Sequence, residues 1–328
     1  MKAIVIAQPG GPEVLTYRDV PDPVPGPEDL LIRVHATALN RADILQRMGS
    51  YPQPGPKPAH DIPGLEFAGE VTRIGDRVQG FAVGERVMGL LPGAGYAEQV
   101  ITHQRLAMKV PESLSWHEAG ATPEVYITAH DALHQCGLVA GESVLIHAAG
   151  SGVGVAAIQI AKMMGASVVI GTAGSSEKLA QAKALGMDVG ANYKTEDFAE
   201  VALEATGGRG VDVVLDVIGA DYLEKNFRAL ALKGRMVIVG LMGGGAAQVN
   251  LGVLLQKRMQ VRGTTLRARP LEEKGYATRA FEKSVLPHIA SGRIKVVVDR
   301  VFPLSEAAAA QEYMGSNQNF GKVVLAVE

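Results

Sequence analysis

At 328 residues, 47% of them hydrophobic, the chain exceeds what one hydrophobic core usually serves and reads as two domains. Its 32 basic and 34 acidic side chains leave a formal net charge of −2 with no long block of one sign, which gives no electrostatic case for nucleic acid or an anionic membrane as a partner. The single cysteine, Cys136, excludes an intrachain disulfide and a cysteine-rich zinc site, and it reads as a small buried apolar residue.

In chain order, the opening MKAIVIAQPGG carries an apolar run of only about five residues, too short for a signal peptide or a membrane span, so a cytoplasmic protein is expected. Up to about Pro123 the chain is dense in proline and glycine, as in PDPVPGPEDL and YPQPGPKPAHDIPGLE. Short β-rich runs, LLIRVHATAL, FAGEVTRIG and ERVMGLL, lie between, with little helical periodicity, and predict an irregular β domain. From about Glu124 the texture changes to apolar runs separated by helix-length segments: SVLIHAA, VVIGTA, VDVVLDVIG, GRMVIVG and QVRGTTL. Strands apolar throughout, alternating with helices, predict an α/β unit with a parallel sheet covered on both faces. Beyond about Leu266 follow a long amphipathic helix candidate, LEEKGYATRAFEKSVLPHIASG, a strand VVVDRVFPL, a helix SEAAAAQEYMGSN and a strand KVVLAV. Periodicity leaves open whether this tail extends the parallel sheet or returns to the first domain.

Between SVLI and VAAIQIAKMMG lies HAAGSGVG, a strand, a glycine turn and a helix start. That unit presents unpaired amides at a helix N-terminus to a pyrophosphate, and glycine removes the Cβ that would keep phosphates and helix away. Gly150, Ser151, Gly152, Val153 and Gly154 are therefore expected to bind a dinucleotide. The end of the next strand selects the cofactor, because NAD-binding units place an Asp or Glu there to hold the ribose hydroxyls. Here the sequence reads GTAGSSEKL, whose first acid, Glu177, falls in the following helix. Gly174, Ser175 and Lys178 suit a 2′-phosphate, and Tyr193, after the next strand, is placed to close over it, so NADPH is the expected cofactor. Later strand ends, DVIGA and VGLMGGG, offer Ile218, Gly240, Leu241 and Met242 for ribose and nicotinamide contacts.

A family resemblance spans essentially the whole chain. It is carried by ALNRADILQRMGSYP, IPGLEFAGEV, VGERVMGLLPGAGYAEQV, VLIHAAGSGVGVAAIQIAK, GLMGGG and NFGKVVL. The sequence resembles the zinc-free quinone oxidoreductases of the medium-chain dehydrogenase/reductase superfamily, and within them the tumour-suppressor-inducible subgroup. The resemblance implies a GroES-like β-rich catalytic domain, 1–123 with 267–328, and a doubly wound Rossmann domain, 124–266. It also implies that the tail returns to the catalytic domain and that the protein is a homodimer paired through the edge of the Rossmann sheet.

Zinc-dependent members of that superfamily carry a histidine in a Gly-His-Glu motif, where this chain has Gly64, Leu65 and Glu66. None of the eight histidines shows a convincing paired spacing, so no metal is expected. His147, directly before the glycine turn, reads as a packed strand-end residue. The reaction expected from the family is transfer of a hydride from NADPH to a quinone, or to an activated C=C bond of an alkenal or enone, with hydrogen-bond donors stabilising the anion that forms. The family match directs attention to Asn40, whose amide would donate to a substrate oxygen or fix its neighbours, and to Tyr51 as a neutral donor that would supply a proton. Asp43 reads as a residue that orients the loop. Thr128 and Asn317 are candidates for contacts on the nicotinamide side. A nucleotide-binding protein with little catalysis, crystallin-like or a redox sensor, is the remaining reading of the same glycine loop.

Overall fold

The structure, a computed structural model, describes residues 1–51, 53–55 and 58–327, so Pro52, Pro56 and Lys57 of the proline-rich stretch lie outside the described residues. The chain forms two compact units, Met1–Ile127 with Leu266–Glu328, and Thr128–Thr265. The helix Pro123–Gln135 runs through the change from one unit to the other, a few residues beyond the change of texture near Glu124.

In the first unit a ten-residue strand, Asp29–Ala38, is the member on which the sheet is assembled. Leu30, Ile32 and Val34 enter the core and are at most 2% exposed, while Arg33 between the last two faces out; Leu31 and the run Ala36–Ala38 are buried as well. Three strands pair with it antiparallel: Glu66–Ile74, Gln99–His103 along its first half, and Lys322–Ala326 along its last three residues. The tail therefore returns to the first unit. Val298–Pro303 pairs parallel with Lys322–Ala326, and the helix Ala307–Gly315 contributes Ala307, Ala310 and Met314 to the core around Ile32, Phe67 and Leu325.

Two departures from the sequence pattern have local causes. The amphipathic stretch after Leu266 forms two helices, Leu271–Ser284 and Leu286–Ala290, because Pro287 lacks the N–H that would continue the first and suits the opening turn of the second. The first unit also holds the short helices Arg41–Arg47 and Trp116–Gly120, too brief to show a period. Their signal is at the caps, where Asp43 accepts from the Asn40 N–H and Glu118 from the Ser115 N–H.

The second unit is a six-stranded parallel sheet ordered Val189–Asn192, Val168–Ala173, Ser143–Ile146, Val211–Asp216, Leu230–Ile238 and Gln260–Gly263. Val144, Leu145 and Ile146 are wholly buried, as expected of a central strand covered on both faces. Strand order reverses at Ser143–Ile146, so the carboxyl end of that strand opens the crevice where such sheets take ligands.

In the first unit Lys322, 4% exposed, donates from Nζ to Leu39 O at 2.7 Å, Asn40 Oδ1 at 2.8 Å and Glu66 Oε1 at 2.8 Å. Lys322→Met leaves the wholly buried Glu66 carboxylate without its cation and is expected to cost about 3–5 kcal/mol. Urea denaturation measures it, and adding Glu66→Gln is expected to recover part of the loss.

Candidate functional site

The predicted cofactor residues fall mainly in the second unit. Helix Gly152–Met163 starts at Ser151, whose Oγ accepts the Gly154 N–H at 3.0 Å. The amides of Gly152 and Val153, first in the helix, have no intrahelical acceptor and remain available to an anion. A Cβ on Gly154 would lie 2.2 Å from Ala148 O, so this glycine lets the helix pack against the turn. The left-handed residue of the turn is Ala148, at φ 51°. Sequence spacing drew attention to the alternate glycines instead.

At the end of Val168–Ala173, a Cβ on Gly174 would come within 2.6 Å of the Tyr193 hydroxyl. Glycine therefore admits the tyrosine, which is 46% exposed, across the strand end. Ser175 caps the helix Ser176–Ala184 by accepting the Lys178 N–H, which leaves its hydroxyl hydrogen to donate, and Lys178 stands in that helix's first turn. The structure thus brings together Gly174, Ser175, Lys178 and Tyr193. Glu177 is exposed in the helix.

The later strand ends form one laced pair of loops. Met242 N–H donates to Val217 O at 3.2 Å and Gly243 N–H to Ile218 O at 2.7 Å, while Asp216 accepts from the amides of Ile218 and Gly219. Gly240 lies against Val217, where a Cβ would be 3.0 Å from the carbonyl oxygen. Leu241 and Met242 point outward, 58% and 50% exposed. Thr128, sixth residue of the helix Pro123–Gln135, is partly buried.

The first unit holds Asn40, Tyr51 and Asn317. Asn317, at φ 57°, accepts from Arg41 Nη2 through Oδ1 at 2.6 Å. Tyr51 is partly buried in its loop, and burial raises its hydroxyl above the ordinary tyrosine range, so it is a neutral donor at pH 7. The Arg267 guanidinium lies 5.2 Å from its ring centroid and donates to Tyr51 O at 3.2 Å, to Pro92 O and to Gln46 Oε1.

Asn40 departs from the donor role. Its Nδ2 donates to Glu66 Oε1 at 2.8 Å and to Ala38 O at 3.3 Å, and its Oδ1 accepts from Lys322. Both amide hydrogens are used inside the protein, so Asn40 fixes its neighbours and has no hydrogen left for a substrate. Asp43, wholly buried, accepts from the backbone N–H groups of Asn40 and Gly64 and from the Tyr96 hydroxyl. Burial lifts its carboxyl to about 6 and the three donors oppose the rise, an orienting role as expected. Sequence reasoning passed over Glu66, Glu124 and Lys322. The available signal was a charged residue opening the otherwise apolar strand KVVLA.

Comparison with known proteins follows the same two-part division. A model described as Alcohol dehydrogenase GroES-like domain matches residues 26–136, and one described as Zinc-binding dehydrogenase matches 152–283. The chain is 36% identical over 98% of its length to 2-haloacrylate reductase of a Burkholderia species, covering 98% of that protein. It is similar to an Escherichia coli quinone oxidoreductase solved with NADPH, at 31% identity and a TM-score of 0.90, over 99% of this chain and 100% of that one. The chain belongs to the quinone oxidoreductase family of medium-chain dehydrogenases/reductases.

The same family domain is built into larger proteins. This chain is 35% identical to part of a phenolphthiocerol/phthiocerol polyketide synthase of Mycobacterium tuberculosis and spans 14% of that protein's length. In this family member Leu65, 2% exposed, stands between Gly64 and Glu66, and among the described residues no three His, Cys, Asp or Glu side chains gather into a metal-binding group. No helix of the described residues is long and apolar enough to cross a membrane.

Two isolated groups behave as packed residues. Burial pushes the Cys136 thiol up to about 11, which removes its thiolate at neutral pH. His147, wholly buried, pairs Nδ1 with Thr172 Oγ1 at 3.1 Å and Nε2 with Asn226 Oδ1 at 2.6 Å, and burial lowers it to about 4. A depressed histidine pKa means that the unfolded chain binds the proton first. Its contribution is therefore present above about pH 6.5 and is lost as pH falls toward 4, by up to roughly 3 kcal/mol. Urea midpoints measured at pH 7 and pH 4.5 for wild type and His147→Gln are expected to show a smaller acid loss in the variant.

Proposed function

We propose that the chain is an NADPH-dependent reductase that transfers hydride to quinones without a metal. The observation that supports this cofactor is the end of Val168–Ala173, where Gly174 admits the Tyr193 hydroxyl, Ser175 caps the helix whose first turn carries Lys178, and the first acid of the sequence that follows, Glu177, falls inside that helix. NADPH would be held by the amides of Gly152 and Val153 at its pyrophosphate and by Ser175 and Lys178 at its 2′-phosphate, with Ile218, Gly240, Leu241 and Met242 along the rest. When bound, it supplies the hydride. Thr128 and Asn317 are proposed as contacts on the nicotinamide side.

The chain's own part is to receive negative charge on the acceptor's oxygen. Tyr51 is the neutral donor for that charge, and Arg267 under its ring holds its orientation. Asn40 acts through position, tying the start of helix Arg41–Arg47 to Glu66 and Lys322. A quinone suits this arrangement because its product anion needs donors more than a Lewis acid.

The same residues serve reduction of an activated C=C bond, and the 2-haloacrylate reductase relative favours that second reading. Catalytic efficiencies on a naphthoquinone and on a 2-haloacrylate or 2-alkenal separate the two. Tight NADPH binding with no turnover on either class would instead support a binding protein.

We also infer a homodimer formed through the sheet edge Gln260–Gly263. All four residues of that strand are exposed, and Leu251, Leu255 and Val261 expose 68%, 77% and 41% of their surface nearby. Sedimentation equilibrium is expected to give twice the chain mass, and Val261→Lys to shift it toward the single chain.

NADPH oxidation followed with ortho- and para-quinones tests the activity, and equal rates with and without quinone contradict it. Lys178→Ala is expected to raise the KM for NADPH about tenfold, the equivalent of ~1.4 kcal/mol, and to leave that for NADH nearly unchanged.

A further inference from the structure

Three carboxyl groups gather near Asn40 in the first unit, and they differ in their hydrogen bonds. Asp43 accepts three donors. Glu66 accepts Lys322 and Asn40 on Oε1 and the backbone N–H of Glu124 on Oε2, at 2.8 Å each. Glu124, in the first turn of the helix Pro123–Gln135, is anchored by that backbone bond. Its own carboxyl makes no hydrogen bond or ion pair with a described residue and is only partly buried. It is thus the one acid of this cluster, among the described residues, whose proton is not opposed by fixed donors.

We propose that Glu124 is a second catalytic residue of this site, the acid from which the reduced product anion takes its proton. The inference rests on the reductase reading above. In the step, a lone pair of the product anion forms an O–H bond, or C–H for an alkene substrate, as the Glu124 O–H bond breaks. Glu124 is left as a carboxylate and takes a proton from water, with no change in oxidation state. Tyr51 then serves as the donor that holds the oxygen while the proton is supplied beside it.

The charges facing Glu124 fit an acid that cycles. Desolvation and the neighbouring Glu66 and Asp43 carboxylates push it up to about 8, whereas Lys322 and Arg267 pull it down. Tyr51 and Lys274 also lie in its field: burial raises the tyrosine and the Glu124 charge adds to that, while burial lowers Lys274 and the Glu124 charge opposes that fall. The positive end of its helix also favours the carboxylate. The group is mostly protonated at pH 7 yet able to release its proton, the balance general acid catalysis requires.

The test uses the full chain as wild type, Glu124→Gln, Glu124→Asp and Tyr51→Phe. In ¹³C-carboxyl glutamate spectra, one resonance is expected to titrate near pH 8 and to vanish in Glu124→Gln, a readout that needs no substrate. In turnover of a naphthoquinone with NADPH, wild-type kcat is expected to fall above about pH 8. Glu124→Gln is expected to lose this limb and about tenfold in kcat at pH 7 with KM for NADPH unchanged, whereas Glu124→Asp and Tyr51→Phe keep the limb. A Glu124 resonance in the ordinary carboxylate range, or a Glu124→Gln enzyme with wild-type kcat and pH profile, overturns the proposal alone. Absence of any NADPH oxidation by quinone or alkene in wild type overturns the reductase reading and the proposal with it.

Discussion

An ammonium group has three hydrogens, and in this protein Lys322 places all three on buried acceptors: a carbonyl of the strand-to-helix turn, the Asn40 side chain and the Glu66 carboxylate. A charge taken out of water is costly, and it is tolerated here because every donor is satisfied and an opposite charge lies at 2.8 Å. The geometry joins segments far apart in sequence. The strand near the C-terminus is held to the end of Asp29–Ala38, to the first turn of Arg41–Arg47 and to the start of Glu66–Ile74. The shape of the loop that carries Tyr51 depends on this junction through helix Arg41–Arg47, whose Leu45 carbonyl accepts the Tyr51 amide.

The junction also divides the polar groups into those whose hydrogen-bonding capacity is spent inside the protein and those that keep a hydrogen for the proposed chemistry. Asn40, Asp43 and Glu66 have their hydrogen-bonding capacity met inside the protein. Tyr51 and Glu124 keep polar hydrogens in their neutral forms, and both remain in part accessible. In the nucleotide-binding unit the division is similar. Ser151, Asp216 and His147 hold turns in place, whereas the Gly152 and Val153 amides and the Ser175 hydroxyl hydrogen are not spent in these bonds and are the donors assigned to NADPH in the proposed reading.

Much of this was legible in the sequence where a local rule acts over a few neighbouring residues. The mainly apolar strands after Glu124 announced the parallel sheet, and the strand, glycine turn and helix start read around Gly152 are the elements the structure forms there. The missing acid before Glu177 could be read in the same way. The tail's destination came only from the family resemblance, because KVVLAV has the same apolar pattern whichever sheet receives it. The helices at Arg41 and Trp116 were hidden by their shortness, and Pro287 divided a stretch that periodicity presents as continuous. Asn40 was singled out by family resemblance, but its partners come from positions 38, 66 and 322, and only the fold reveals that its amide is already engaged.

The most direct test of this division is a crystal structure of the protein with NADPH and an unreactive quinone analogue. The Asn40 amide is expected to stay on Glu66 and Ala38, Lys322 to keep its three acceptors, and the analogue's oxygen to take its hydrogen bond from the Tyr51 hydroxyl. An Asn40 amide swung onto the ligand, with its bond to Glu66 broken, would contradict that division.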